Sequence, residues 1–146
     1  MKNRVTETGG EYLRPKANSK RAPMAKAEIL LIEDDLATRH AIGLALKAMG
    51  HQVTVAVDCE EARASLRKFI FDLLIIDPRV TRQECHAIAH EAKALNAGTR
   101  IIIFTDKLTH AAAGDRQPIV DVYLPKPYSF HDLEKSLNRC LAGRTN

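Results

Sequence analysis

The segment Glu28-Ile29-Leu30-Leu31-Ile32-Glu33-Asp34-Asp35-Leu36 sets four consecutive apolar residues directly before three acids. Four apolar residues without alternation read as a strand buried on both faces, since a sheet with one wet face would alternate apolar and polar. Strands of that kind belong to parallel sheets covered by helices on both sides. The residues that follow agree. Across 36–49, Ile42, Leu46 and Met49 recur at helical spacing, and Gly50 stands where a helix C-terminal glycine belongs.

Outward from that unit the alternation continues. The sequence predicts strands at 53–57, 73–77, 101–105 and 120–124, and helices at 60–69, 84–95, 109–114 and 130–141. In the last helix Phe130, Leu133, Leu137 and Leu141 form an apolar stripe, read as a core-facing one. Five strands alternating with five helices make an α/β fold: a three-layer α/β/α sandwich around a parallel sheet. A strand order of 2-1-3-4-5 puts the first and third strands at the point where the order reverses.

Charge is distributed unevenly. The 146 residues hold 22 Lys plus Arg against 18 Asp plus Glu, a net +4. Residues 1–23 carry six of the cations (Lys2, Arg4, Arg14, Lys16, Lys20, Arg21) and two acids (Glu7, Glu11), which leaves sixteen of each sign for the rest. The basic excess is therefore that of a tail. With Gly9-Gly10, Pro15 and Pro23 and no hydrophobic period, 1–23 reads as a disordered basic tail ahead of one domain at 24–146. Met24 offers an alternative to Met1 as the translation start. Tyr12 is the tail's only aromatic and no dense basic block is present, which argues against nucleic acid.

Apolar runs end at four residues, whereas a membrane span needs about 18 or more, so no span is expected. Cys59, Cys85 and Cys140 form no Cys-x-x-Cys pair, which fits a reducing cytoplasm better than a disulfide framework. His86 and His90 stand four apart without a third ligand and read as solvated positions on a helix face.

Function in a doubly wound sheet gathers at the carboxyl ends of the strands. The first strand ends in Glu33, Asp34 and Asp35, the third in Asp77 and the fourth in Thr105; the fifth ends just before Lys126-Pro127. Two unit charges about 4 Å apart repel by roughly 4 kcal/mol at an effective dielectric near 20. Neighbouring carboxylates therefore call for a proton or a cation. An all-oxygen set suits Mg2+, and Lys126 and Thr105 add an ammonium and a hydroxyl, which together make a place for a phosphoryl group that Asp77 can attack.

In Ile-Leu-Leu-Ile-Glu33-Asp34-Asp35, Asp72-Leu-Leu-Ile-Ile-Asp77, Ile-Ile-Ile-Phe-Thr105 and Tyr123-Leu-Pro-Lys126-Pro127, the chain resembles the receiver domain of two-component response regulators over 26–142. The resemblance implies a flavodoxin-like fold and phosphorelay signalling, with Asp77 as phosphoacceptor from a sensor histidine kinase or a histidine phosphotransfer protein. It implies Mg2+ held by Glu33, Asp34, Asp77 and the backbone carbonyl of Arg79. Lys126 would contact the phosphoryl group, Thr105 would move toward it, and Tyr123 would turn inward after Thr105 to remodel a surface read by a downstream protein. The Lys126-Pro127 peptide would be cis. A stand-alone cytoplasmic receiver of this kind is not an enzyme in the usual sense, and a homodimer is compatible with it.

The chain also departs from the family pattern. Thr81 and Cys85 stand where such receivers usually carry Pro and Gly, Pro78 follows Asp77, and Asp106 follows Thr105 in place of Ala or Gly. These departures motivate an alternative: a receiver-like protein-interaction module that is not phosphorylated. A flavin site would want a Ser/Thr/Gly-rich loop where Glu33-Asp34-Asp35 stands, and an aspartyl-phosphate phosphatase a second Asp where Arg79 stands.

Overall fold

In the computed structural model, which describes residues 26–77, 82–106 and 117–142, the apolar runs form the centre of a five-stranded sheet. The elements run β1 (Glu28–Ile32), α1 (Leu36–Ala48), β2 (Gln52–Ala56), α2 (Cys59–Lys68), β3 (Leu73–Ile76), α3 (Arg82–Leu95), β4 (Arg100–Thr105), β5 (Val122–Pro125) and α4 (Phe130–Leu141). All neighbouring strands are parallel and the order is β2-β1-β3-β4-β5. The expected tail at 1–23, the helix at 109–114, and Pro78, Arg79 and Thr81 lie outside the described residues.

Alternation along each strand divides the core in two. Leu30, Ile32, Leu74, Ile76, Ile101 and Ile103 face α2 and α3, meeting Ala62, Leu66, Ile88 and Ala92. Ile29, Leu31, Leu73, Ile75, Ile102 and Phe104 face α1 and α4, meeting Ile42, Leu46, Leu133 and Leu137. Both faces are dry, so β3 is wholly apolar and β1 becomes so after the exposed Glu28 at its start, whereas the edge strand β2 leaves Gln52 and Val55 exposed and Val53 and Thr54 half-buried.

The helix ends follow their chemistry. Asp35 caps α1, its Oδ2 accepting from Thr38 N at 2.9 Å and Thr38 Oγ1 at 2.6 Å. Past the other end of α1, Gly50 adopts φ +99°, a left-handed conformation that a side chain would strain. Ser129 and Asp132 form a reciprocal capping box at the start of α4. The apolar stripe expected on α4 is shorter than the sequence predicts: Leu133, Leu137 and Leu141 are buried, but Phe130 is 53% exposed. Phe130 opens the helix at the carboxyl edge of the sheet, and burial on α4 begins one turn later at Leu133.

Candidate functional site

Register assembles the site. Ile32 lies beside Ile76, so the residues that follow them, Glu33 and Asp77, leave the sheet side by side. Ile76 pairs with Ile103, and Thr105 pairs with Pro125, which brings Thr105 and Lys126 to the same edge. Backbone bonds continue the ladder beyond the strands: Asp77 N donates to Ile32 O at 3.0 Å, Glu33 N to Ala56 O at 3.0 Å and Lys126 N to Thr105 O at 2.7 Å.

Asp77 and Glu33 are fully buried. Lys126 Nζ lies 2.6 Å from Asp77 Oδ2 and reaches it from a position that is 31% exposed. Glu33 Oε2 accepts from Asp35 N at 3.1 Å, while Oε1 is buried with no hydrogen-bond partner. Burial foremost, and then the neighbouring Asp77 carboxylate, push the Glu33 carboxyl up to about 7. Thr105 is buried and its Oγ1 also has no hydrogen-bond partner. An unsatisfied buried oxygen costs about 1–3 kcal/mol, and here two such atoms stand at one edge of the sheet.

Asp34 is exposed, next in the chain to Glu33. Among the described residues no three or more His, Cys, Asp or Glu are gathered closely enough to hold a metal by themselves. The donor set nevertheless fits a hard cation that keeps water: an all-oxygen pair, Glu33 and Asp77, with one buried oxygen lacking a partner. The Lys126-Pro127 peptide is cis.

Three contributors were not read from the sequence. Arg39 on α1 donates through Nη1 to the carbonyls of Glu33 at 3.1 Å and Asp34 at 3.4 Å, holding the acidic turn from its backbone side. Its position one turn into α1, four residues after the cap Asp35, was the available signal. Tyr128 stacks on Phe104 at 4.8 Å between centroids, and Lys126 Nζ lies 5.9 Å from the Phe104 centroid. This aromatic pair forms a floor beneath the ammonium. Burial, then Glu33 and Asp77, raise the Tyr128 phenol to about 12, so it stays neutral.

His86 corrects an expectation. It is half-buried rather than solvated, with Nε2 3.1 Å from Tyr123 Oη, whereas His90 is exposed. Cys85 is buried and its thiol lies 3.8 Å from the Asp77 carbonyl oxygen.

A sequence model described as the response regulator receiver domain matches residues 29–138. The chain belongs to the response regulator receiver domain family. The transcriptional regulatory protein ZraR of Salmonella typhimurium is 31% identical over 119 residues, which cover 80% of this chain and 27% of ZraR. The two-component response regulator PhoP of Pseudomonas aeruginosa is 30% identical over 120 residues, covering 78% of this chain and 51% of PhoP. The chain thus spans between a quarter and a half of the length of these relatives. Among solved structures, the receiver domain of a sensor histidine kinase from Pseudomonas aeruginosa PAO1, with a magnesium ion coordinated in its active site cleft, is 28% identical with a TM-score of 0.66, covering 82% of this chain and all of that one. The chemotaxis response regulator CheY4 of Vibrio cholerae, 24% identical, shares the fold with a TM-score of 0.69 over 80% of this chain and all of that one. A receiver domain of two-component signalling is therefore a signalling module, and among the described residues no helix is long and apolar enough to cross a membrane.

Proposed function

We propose that this receiver accepts a phosphoryl group on Asp77 from a phosphohistidine on a sensor histidine kinase or a phosphotransfer protein, with Mg2+ as cofactor. The observation that carries the reading is the fully buried Asp77 carboxylate held 2.6 Å from Lys126 Nζ, with two partnerless buried oxygens, Glu33 Oε1 and Thr105 Oγ1, at the same edge of the sheet. A carboxylate oxygen of Asp77 attacks phosphorus, forming an O–P bond as the N–P bond to the donor imidazole breaks and its electron pair returns to nitrogen. Lys126 leaves its ion pair to take a phosphoryl oxygen, and Thr105 donates its hydroxyl to another.

Glu33, Asp34, Asp77 and the Arg79 carbonyl would hold the cation. It supplies charge neutralisation for the incoming phosphoryl oxygens. Glu33 must be ionised to bind it, and its raised value makes that step compete with a proton. Acceptance is stoichiometric, so the chain is a signalling switch rather than an enzyme. Its output is a downstream protein contact made by the surface around Tyr123, in the cytoplasm. The domain occupies 24–146 and follows a basic tail at 1–23.

Incubation with acetyl phosphate and Mg2+ should add one phosphoryl group to the wild type by intact mass and none to Asp77→Ala. Equal labelling of the two proteins overturns the assignment. A second reading, a receiver-like contact module that is not phosphorylated, draws on Asp106, whose exposed carboxylate follows Thr105 directly. Labelling that is absent in wild type but appears in Asp106→Ala would favour it.

A further inference from the structure

Tyr123 enters the core from β5 on the side of α3. Its ring packs against the core cluster formed with α2 and α3, and its hydroxyl joins two other parts of the chain. Gln117 N donates to Tyr123 Oη at 2.8 Å, and His86 Nε2 lies 3.1 Å from the same oxygen. One phenolic oxygen therefore ties together α3, the segment leading into β5, and β5 itself. With the imidazole proton on Nδ1, the tyrosine hydroxyl donates to Nε2 and accepts from Gln117; with the proton on Nε2, the oxygen accepts from both. Either tautomer keeps the ring turned in.

We propose that His86 is a positioning residue of the output switch: from α3 its imidazole latches Tyr123 in the inward position before any phosphoryl group arrives. Its part in output rests on the function proposed above; the latch itself does not. Tyr123 pairs with Ile103 on β4, and Thr105 lies two residues further along, hence on the same face of the sheet. A hydroxyl that moves at Thr105 is therefore read by a ring already held in place. If the phosphorylated state requires Tyr123 inward, His86 has prepaid part of that change, and by linkage the latch and the phosphoryl analogue strengthen one another.

The test uses the full chain, free of metal and phosphodonor, with ring-labelled tyrosine. The three tyrosines are Tyr12, Tyr123 and Tyr128, and Tyr123→Phe identifies the Tyr123 signals. His86→Leu should move those signals toward free tyrosine, and His86→Gln, whose amide can meet the hydroxyl, should return them toward wild type. Signals unmoved by His86→Leu, or moved equally by His86→Gln, overturn the latch. The output role is read from beryllofluoride affinity with Mg2+. His86→Leu should weaken it about five-fold, the factor for one net hydrogen bond, and should have no effect in a Tyr123→Phe background. An equal effect in both backgrounds makes His86 a packing residue and overturns its role. If the wild type binds no beryllofluoride, the proposed function and the output role fail together, while the ring signals still decide the latch.

Discussion

Glu33 shows how burial turns a carboxyl into a pH-dependent element. Its ordinary value is 4.5, and in the folded chain it rises to about 7, chiefly through burial and then through Asp77. Below 4.5 both folded and unfolded states hold the proton and the group has no effect. Between 4.5 and 7 the unfolded chain releases it while the folded chain keeps it, so stability falls across that window and is flat above it. The loss is on the order of 1–3 kcal/mol. Urea unfolding of metal-free protein at pH 5 and pH 7.5 should show this loss in wild type. Glu33→Gln should reduce it and be the more stable protein at pH 7.5. Magnesium should act in the opposite sense, stabilising wild type more at pH 7.5 than at pH 5 because it binds the ionised form. A Gln variant with the same pH slope as wild type would remove Glu33 from this account.

At the scale of an element, α4 separates a face that packs from an end that does not. Leu137 is fully buried against the α1 side of the sheet, so Leu137→Ala should cost about 2–5 kcal/mol. Phe130→Ala, at a position 53% exposed, should stay within about 0.5 kcal/mol, measured by the same denaturant titration. The sequence spacing gave these residues the same status, because periodicity reports a stripe but not where the neighbouring sheet ends. The strands were legible for the opposite reason: β1, β3 and β4 are buried on both faces, and unbroken runs such as Ile29 to Ile32 leave no polar register to confuse them. Glu33, Asp77, Thr105 and Lys126 were legible as strand-end residues once the topology was known, since parallel register alone makes them neighbours. Neither the His86–Tyr123 contact nor the Phe104–Tyr128 stack had such a signal. Each joins residues from separate elements by side-chain direction, which spacing along one element does not encode.

On the scale of the whole molecule, the net charge and the fold belong to different parts of the chain. Residues 1–23 account for the full +4, while the described core runs from Ala27 to Leu141. β1 is paired on both sides, by β2 and β3, from its first residues onward: Gln52 N bonds Ala27 O, and Asp72 N bonds Glu28 O. Nothing in that pairing calls on the residues before Lys26. A chain beginning at Met24 should therefore keep its thermal midpoint within about 3 °C, a shift that corresponds to less than roughly 1 kcal/mol for a domain of this size. It should also lose the basic excess, so that retention on a cation exchanger at pH 7 drops while Mg2+-dependent labelling of Asp77 is unchanged. A larger fall in the midpoint would mean that the basic segment packs on the domain, and a fall in labelling with an unchanged midpoint would mean that it reaches the acidic edge of the sheet. If neither changes, the sixteen cations and sixteen acids of the remaining chain suffice for fold and site, and the charge that matters is the local negative one that Glu33 and Asp77 bury.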